Sequence, residues 1–362
     1  MTSRRHFLAG LAAATLSPIR GWASVGAPDF LAAGLFPDGS YRLAGLDAQG
    51  AILFSLPLPA RGHAAAAHPF KAQAVAFARR PGTFALVIDC ATGSELAVLQ
   101  APVGRHFYGH GTFSADGERF YATENDYEAA EGRVSIWDAN SFVRLGEFSS
   151  GGIGPHDMRL MPDEKTLVIA NGGIETHPDT GRTKLNLPTM RPNLTYANLS
   201  GTPLAQMELP SALRKNSIRH LAVRGDGLIA FAMQWQGPQA DHPPLLGVHR
   251  SGENVRLLTA PEADQATLQG YAGSVAFSTD GRTIAITCPR GNALHRFDVA
   301  SGTFEDGFAL EDVCGLGNGA DGGVVFTTGT GVFGTLTGAQ PAISARADCQ
   351  WDNHLIPIRR HL

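Results

Sequence analysis

Tyr108-Gly-His-Gly-Thr-Phe-Ser-Ala115, Glu118-Arg-Phe-Tyr-Ala-Thr-Glu124, Arg133-Val-Ser-Ile-Trp-Asp138 and Phe142-Val-Arg-Leu-Gly-Glu-Phe148 read as four consecutive β-strands. Each run is short, rich in β-branched or aromatic residues, and bounded by a turn. Asp116-Gly117 closes the first, and Asp138-Ala-Asn-Ser141 separates the last two. Such residues suit tight turns, because Gly tolerates positive φ and Asp or Ser side chains bond nearby backbone amides. Both turn types recur along the chain, and they alternate. The first, or a relative of it, stands at His68-Pro69, Asp163-Glu164, Asp226-Gly227, Asp280-Gly281 and Asp321-Gly322. The second stands at Asp47-Ala-Gln-Gly50, Asp89-Cys-Ala-Thr-Gly93, Asn198-Leu-Ser-Gly201 and Asp298-Val-Ala-Ser-Gly302. Dividing roughly 335 residues by seven gives about 48 per four-stranded unit, the size of a propeller blade. Blades two to seven are expected to begin near Gly62, Tyr108, Gly154, Ser217, Gln269 and Asp312.

The first blade is incomplete when read from its start. Asp29–Leu35, Tyr41–Leu46 and Ile52–Leu56 supply three strands, and Asn353–Ile358 at the far end supplies the fourth and innermost. That pairing joins the two ends of the chain in one sheet and removes the open seam of the ring. The expected fold is therefore all-β, a seven-bladed β-propeller with the C-terminal strand closing the first blade. A pair of open sandwiches is the competing architecture. Two polar insertions interrupt the repeat, residues 172–191 in the fourth blade and 236–244 in the fifth, and long loops on a rigid scaffold are frequent binding features.

Composition narrows the partners. Of 362 residues, 43% are hydrophobic and 17% charged, with 43 Gly, and the formal charge is −4. The hydrophobic content excludes disorder, and Gly at nearly twice its usual share favours turns over long helices. With no basic block, a nucleic-acid groove or an anionic membrane surface is not expected.

The opening Thr2-Ser-Arg4-Arg5-His-Phe-Leu8 resembles a bacterial twin-arginine export signal. Leu8 to Leu16 form an apolar region of about nine residues, too short to span a bilayer. A cut near Ala23 divides the chain into a signal peptide, residues 1–26, and a single propeller domain, residues 27–362. The resemblance implies a periplasmic protein that is exported already folded. No Cys stands beside the cut to carry a lipid, so no stable membrane anchor is expected.

With Gly154-Pro-His-Asp-Met-Arg159 and the Asp-x-x-x-Gly turns, the chain resembles a family of twin-arginine-exported bacterial propellers of unassigned function. It is also similar to the broader YVTN-repeat and quinoprotein-dehydrogenase-like propellers. Members of the exported family are often encoded beside imelysin-type proteins of iron uptake. The resemblance thus implies periplasmic iron-uptake proteins as partners, and it brings no catalytic residues.

In a propeller the innermost strands all start near one mouth of the central channel, so equivalent positions in them form a ring. Aligned on their first turns, His63, His110, Asp157, His220 and the closing strand's His354 share one level. His156 and Arg219 stand one position earlier. Imidazole and carboxylate suit transition metals, and such sites are assembled from remote chain segments. The expected ligands are His63, His110, His156, Asp157, His220 and His354, with iron favoured over copper or zinc. Each His alone reads more simply as a polar group bonded to water or a carbonyl in a wet channel; the set of His63, His110, His220 and His354 points to metal or anion binding. Arg105, Arg159 and Arg219 near the strand starts are candidates for holding an anionic ligand or chelate. Glu124, Asp126 and Glu128 form a second tier of possible ligands. Because alternate residues of a strand face opposite ways, a one-residue slip in this register would turn the set away from the axis.

Cys314 and Cys349 flank neighbouring inner strands, where a disulfide would staple the seam in an oxidising compartment. Cys90 and Cys288 are expected to be free. No Cys-x-x-Cys-His, Gly-x-Ser-x-Gly or phosphate loop is present, which leaves covalent haem and familiar hydrolytic chemistry without support. The sequence is read as a periplasmic protein that holds a metal or its chelate at the channel mouth, accessory to uptake or handling. A lactonase-like or metal-dependent enzyme using the same funnel, and a protein-interaction scaffold, are the alternatives.

Overall fold

The computed structural model describes residues 20–78, 83–181 and 183–358. They form seven four-stranded antiparallel sheets arranged as a propeller. The inner strands are β4 (Gly62–Ala67), β8 (Arg105–Phe113), β12 (Pro155–Leu160), β16 (Asn216–Val223), β20 (Ser274–Phe277), β24 (Val313–Asn318) and β28 (Gln350–Pro357). The expected starts fall within a few residues of these, apart from the sixth blade. There the short helix Glu262–Thr267 precedes β20 and delays the strand to Ser274.

Closure follows the expected route. Strands β1 (Phe30–Leu35), β2 (Tyr41–Leu46) and β3 (Ile52–Leu58) make three quarters of a sheet, and β28 pairs with β1, Phe30 opposite Pro357 and Leu31 opposite Ile356. Just beyond, Ile358 N donates to Asp29 O at 2.9 Å.

The turns behave as their residues dictate. Asp47 Oδ1 accepts from the Gln49 and Ala51 amides, and Asp138 Oδ1 from those of Asn140 and Ser141. His68 performs the same service in place of an aspartate. Its Nδ1 accepts from the Phe70 and Lys71 amides at 3.0 Å, and its Nε2 lies 3.2 Å from Gly117 O in the next blade. Burial, with Lys71 adding to it, pushes this imidazole down to about 4, so it is neutral and can accept.

The core lies between neighbouring blades. Phe77, Phe107 and Phe120 meet where the second blade faces the third, and Ile218, Phe231 and Met233 lie between the fourth and fifth. Phe231 is fully buried over Gly247, the residue directly opposite it, where a Cβ would come within 2.2 Å of the ring. Any larger residue at 247 displaces that ring.

All four cysteines are free and buried. The Cys314–Cys349 bridge is therefore not made. Cys314 Sγ points instead at the backbone oxygens of Thr327 and Asp352, each 3.4 Å away. Burial pushes its thiol, and that of Cys349, up to about 12, so neither supplies a thiolate at neutral pH.

Arg4, Arg5 and the apolar run Leu8–Leu16 lie outside the described residues. Arg20–Val25, assigned by sequence to the leader, run along the second blade: Ala72 N donates to Arg20 O at 2.7 Å, and Trp22 Nε1 to His68 O at 2.8 Å. Among the described residues no helix is long and apolar enough to cross a membrane.

Candidate metal centre

The inner strands do not run evenly past the axis. Pairing within the blades slips at one level: between Gly62 and Ala65 in β4, Phe107 and Gly111 in β8, Pro155 and Asp157 in β12, and Ile218 and His220 in β16. The closing strand does the same, with Ala33 alone facing the stretch between Trp351 and Leu355. A bulge adds unpaired residues and re-aims side chains that strict alternation would send to opposite faces. This is why His156 and Asp157, and likewise Arg219 and His220, all serve one site although they are adjacent in sequence. Gly109, at φ +102°, makes the turn of the β8 bulge, and the His63 ring packs so closely that a Cβ there would lie 2.3 Å from its Cδ2.

The five imidazoles meet. His354 has its ring centroid 4.7 Å from His63, 4.7 Å from His110 and 4.8 Å from His220. His156 lies 4.8 Å from His220 and 5.3 Å from His110. Two trios offer ligand nitrogens within 4.8 Å of one another, His63 with His110 and His156, and His110 with His220 and His354. Nitrogens around a tetrahedral ion with bonds of about 2 Å stand about 3.3 Å apart, so the nitrogens of a trio would draw together by up to about 1.5 Å to hold one.

Hydrogen bonding within the second trio is incomplete. His110 Nε2, His220 Nδ1 and His354 Nε2 are buried with no hydrogen-bond partner among the described residues. Each such atom carries an uncompensated desolvation cost of about 1–3 kcal/mol. His110 is poised from behind, its Nδ1 lying 3.3 Å from Asp157 Oδ1. A proton on Nδ1 shared with that carboxylate leaves the Nε2 lone pair facing the cluster, as in a metal-bound histidine oriented by an acid.

Asp157 thus stands behind His110 rather than beside it. Its oxygens also accept from the Met158 amide at 2.8 Å, the Leu221 amide at 2.9 Å and Arg159 Nη2 at 3.2 Å. It ties β12 to β16 as well as holding the ring. Burial favours its neutral form, but the Arg159 charge and the hydrogen bond with His110 outweigh burial and hold the carboxyl well below the usual range. Arg219, itself buried, donates from Nη1 to His156 Nδ1 at 3.2 Å. Burial pushes His156, His220 and His354 well below the ordinary imidazole value, helped by Arg219 at His156 and by neighbouring rings at the other two. All three are neutral at pH 7, the state in which imidazole binds a metal.

Arg105 goes elsewhere. It is taken up by Glu147, by Asp126 at 3.2 Å and by the fully buried Glu124, which also receives Arg144 at 2.6 Å. Glu124 and Asp126 are thereby committed to ion pairs, and Glu128 faces His177 at 3.8 Å. The two insertions meet each other: Lys184 Nζ donates to Gln236 Oε1. Partial burial, with Arg219 and Arg290, lowers the Lys184 ammonium.

A model of the family described as protein of unknown function (DUF1513) matches residues 56–358. The chain belongs to that family. No curated protein matches it. A solved structure of hydrazine synthase from Kuenenia stuttgartiensis is similar over 85% of this chain and 89% of that one, with a TM-score of 0.58 and 13% identity. At that identity the likeness shows the propeller fold. For this DUF1513 member the site must be read from its own side chains.

Those side chains set a pH dependence. His156, His220 and His354, like His68 and His295 at about 4, have folded values below the unfolded one near 6.5. Below about pH 6.5 the unfolded chain binds protons that the folded chain refuses, so stability falls as pH falls, by up to about 1.4 kcal/mol per unit for each such ring. Urea unfolding of metal-free protein at pH 7.5 and 5.5 is expected to show the midpoint drop at the lower pH; an unchanged or higher midpoint contradicts buried neutral rings.

Proposed function

We propose that this propeller is an exported periplasmic protein that binds a divalent transition metal on His110, His220 and His354. His63 and His156 enclose the centre, and Asp157 orients His110. The observation that carries the reading is the convergence of three buried imidazoles from three separate blades, each with a ring nitrogen lacking a hydrogen-bond partner among the described residues. Imidazole donors suit copper and zinc at least as well as iron, and the two-His-one-carboxylate set that favours Fe(II) would require Asp157 to leave its present partners. Iron, implied by the family resemblance, is therefore tested beside those two. Such a site would serve metal uptake or handling, the setting that the family resemblance implies.

The test is direct. Protein purified from the periplasm, stripped and titrated with Zn(II), Cu(II) or Fe(II), is expected to bind about one ion per chain at a saturable site. Less than about 0.2 ion per chain for all three by elemental analysis overturns the proposal.

A further inference from the structure

The five imidazoles form two trios that share His110, and the trios differ in exposure. His110, His220 and His354 are all buried, whereas His63 is only half-buried beside His110 and His156. An ion arriving from solvent therefore meets His63 first. It arrives with water ligands, and losing them all at once to enter a buried site costs far more than exchanging them singly for imidazoles. A position part-way, at which some waters are kept, lowers that barrier.

The trio of His63, His110 and His156 has the properties of such a position. Arg219 donates to His156 Nδ1 at 3.2 Å, so the neutral ring carries its proton on Nε2 and has no lone pair to give. His63 and His110 remain as the two donors. Two nitrogens grip an ion less firmly than three, and a stage of passage has to be weak enough to leave. The way on is short. The His354 ring stands 4.7 Å from both His63 and His110, and His220 lies 4.8 Å from His354. Because His110 Nδ1 is turned to Asp157, its Nε2 is the nitrogen that serves both trios. His354 can thus take the ion over from His63 while His110 keeps its hold. His63 and His220 stand in different trios, so His63 is left behind once the ion reaches His220.

We infer that His63 and His110 form an entry position for the ion, from which it passes to His110, His220 and His354. The inference rests on the proposed metal site and adds the route by which that site fills and empties. His63 is then a transfer ligand, one that holds the ion in passage and lets it go.

Zn(II) loading and release, timed by stopped flow against a chromophoric chelator, test it in His63→Ala and His63→Phe, with an equilibrium competition run beside them. A group that touches the ion only in passage acts on the barrier, so it changes both rates by one factor and leaves their ratio alone. Both variants are expected to load and release Zn(II) at least about tenfold more slowly than the wild type, with Kd changed by less than about fivefold. Phe keeps a ring over the centre without the nitrogen, and Ala removes both. A mere cover would behave differently, since Ala would then speed exchange and Phe would leave it alone. If either variant is accelerated, or slowed by less than about threefold, the inference is overturned with the metal site intact. If either weakens Kd by more than about fivefold, His63 is a lasting ligand and the inference is overturned as well. Failure of the wild type to bind Zn(II) at all overturns the metal site itself, which sets that failure apart from the other two.

Discussion

Replacing His110 and His220 together by Ala is expected to weaken zinc or copper binding by at least about a thousandfold, roughly 4 kcal/mol, which a competition titration against a chromophoric chelator measures. The change removes two of three converging nitrogens and leaves His354 as the last member of its trio. The same variant without metal is expected to melt within a few degrees of the wild type. Both rings carry a buried nitrogen without a hydrogen-bond partner, and deleting that desolvated group offsets the packing lost. His68→Ala provides the contrast. That imidazole accepts two backbone amides and bridges to Gly117, so its loss is expected to lower stability by about 2 kcal/mol and leave metal affinity alone. Asp157→Asn should weaken metal binding about 10- to 100-fold, the usual effect of losing the group that orients a liganding histidine. If the double variant binds metal normally but melts as low as His68→Ala, the cluster is structural.

The difference between His68 and His110 shows which parts of the site were legible. His68-Pro69 could be aligned with the Asp-Gly turns, so its structural service followed from position in the repeat. The histidines at the channel share a distance to those turns, and that spacing alone brings His63, His110 and His220 to one level. The two neighbours His156 and Asp157 could not be resolved in this way. In an even strand one of them faces away, and the bulge between Pro155 and Asp157 that brings both to the site has no distinct sequence mark. The partners of Asp157 were hidden for the same reason. A carboxylate one residue from a histidine reads as a ligand, whereas its bonds to Met158, Leu221 and Arg159 depend on how two blades pack. Arg105 shows the remaining limit, since its partners Glu124 and Glu147 come from other strands of its own blade and are recognisable once those strands are paired.

Ending the chain at Asp348 is expected to abolish cooperative folding. The cut removes β28, and with it the buried side chains of Trp351, Leu355, Ile356 and Ile358. Each contributes about 2–3 kcal/mol of burial, so their combined loss rivals the roughly 5–15 kcal/mol that holds a typical domain together. It also strips β1 of its inner partner, leaving the backbone of Phe30–Ala32 unpaired at the channel wall. The loss comes from missing contacts and not from chain order, which a permuted chain separates. Ile358 and Asp29 are already hydrogen-bonded neighbours. A chain that begins at Asp348, continues through β28, passes by a flexible Gly/Ser linker from Ile358 to Arg20 and ends at Ala347 keeps every blade contact. It is expected to unfold in one transition and to bind metal, whereas the truncated chain shows no transition and, lacking His354, no tight site. Calorimetry and metal titration of the two proteins decide the matter. If the truncated chain melts like the wild type, the ring does not depend on joining its two ends. If the permutant fails as well, the register of β28 against β1 requires the natural order of synthesis, and closure is a kinetic requirement as well as a packing one.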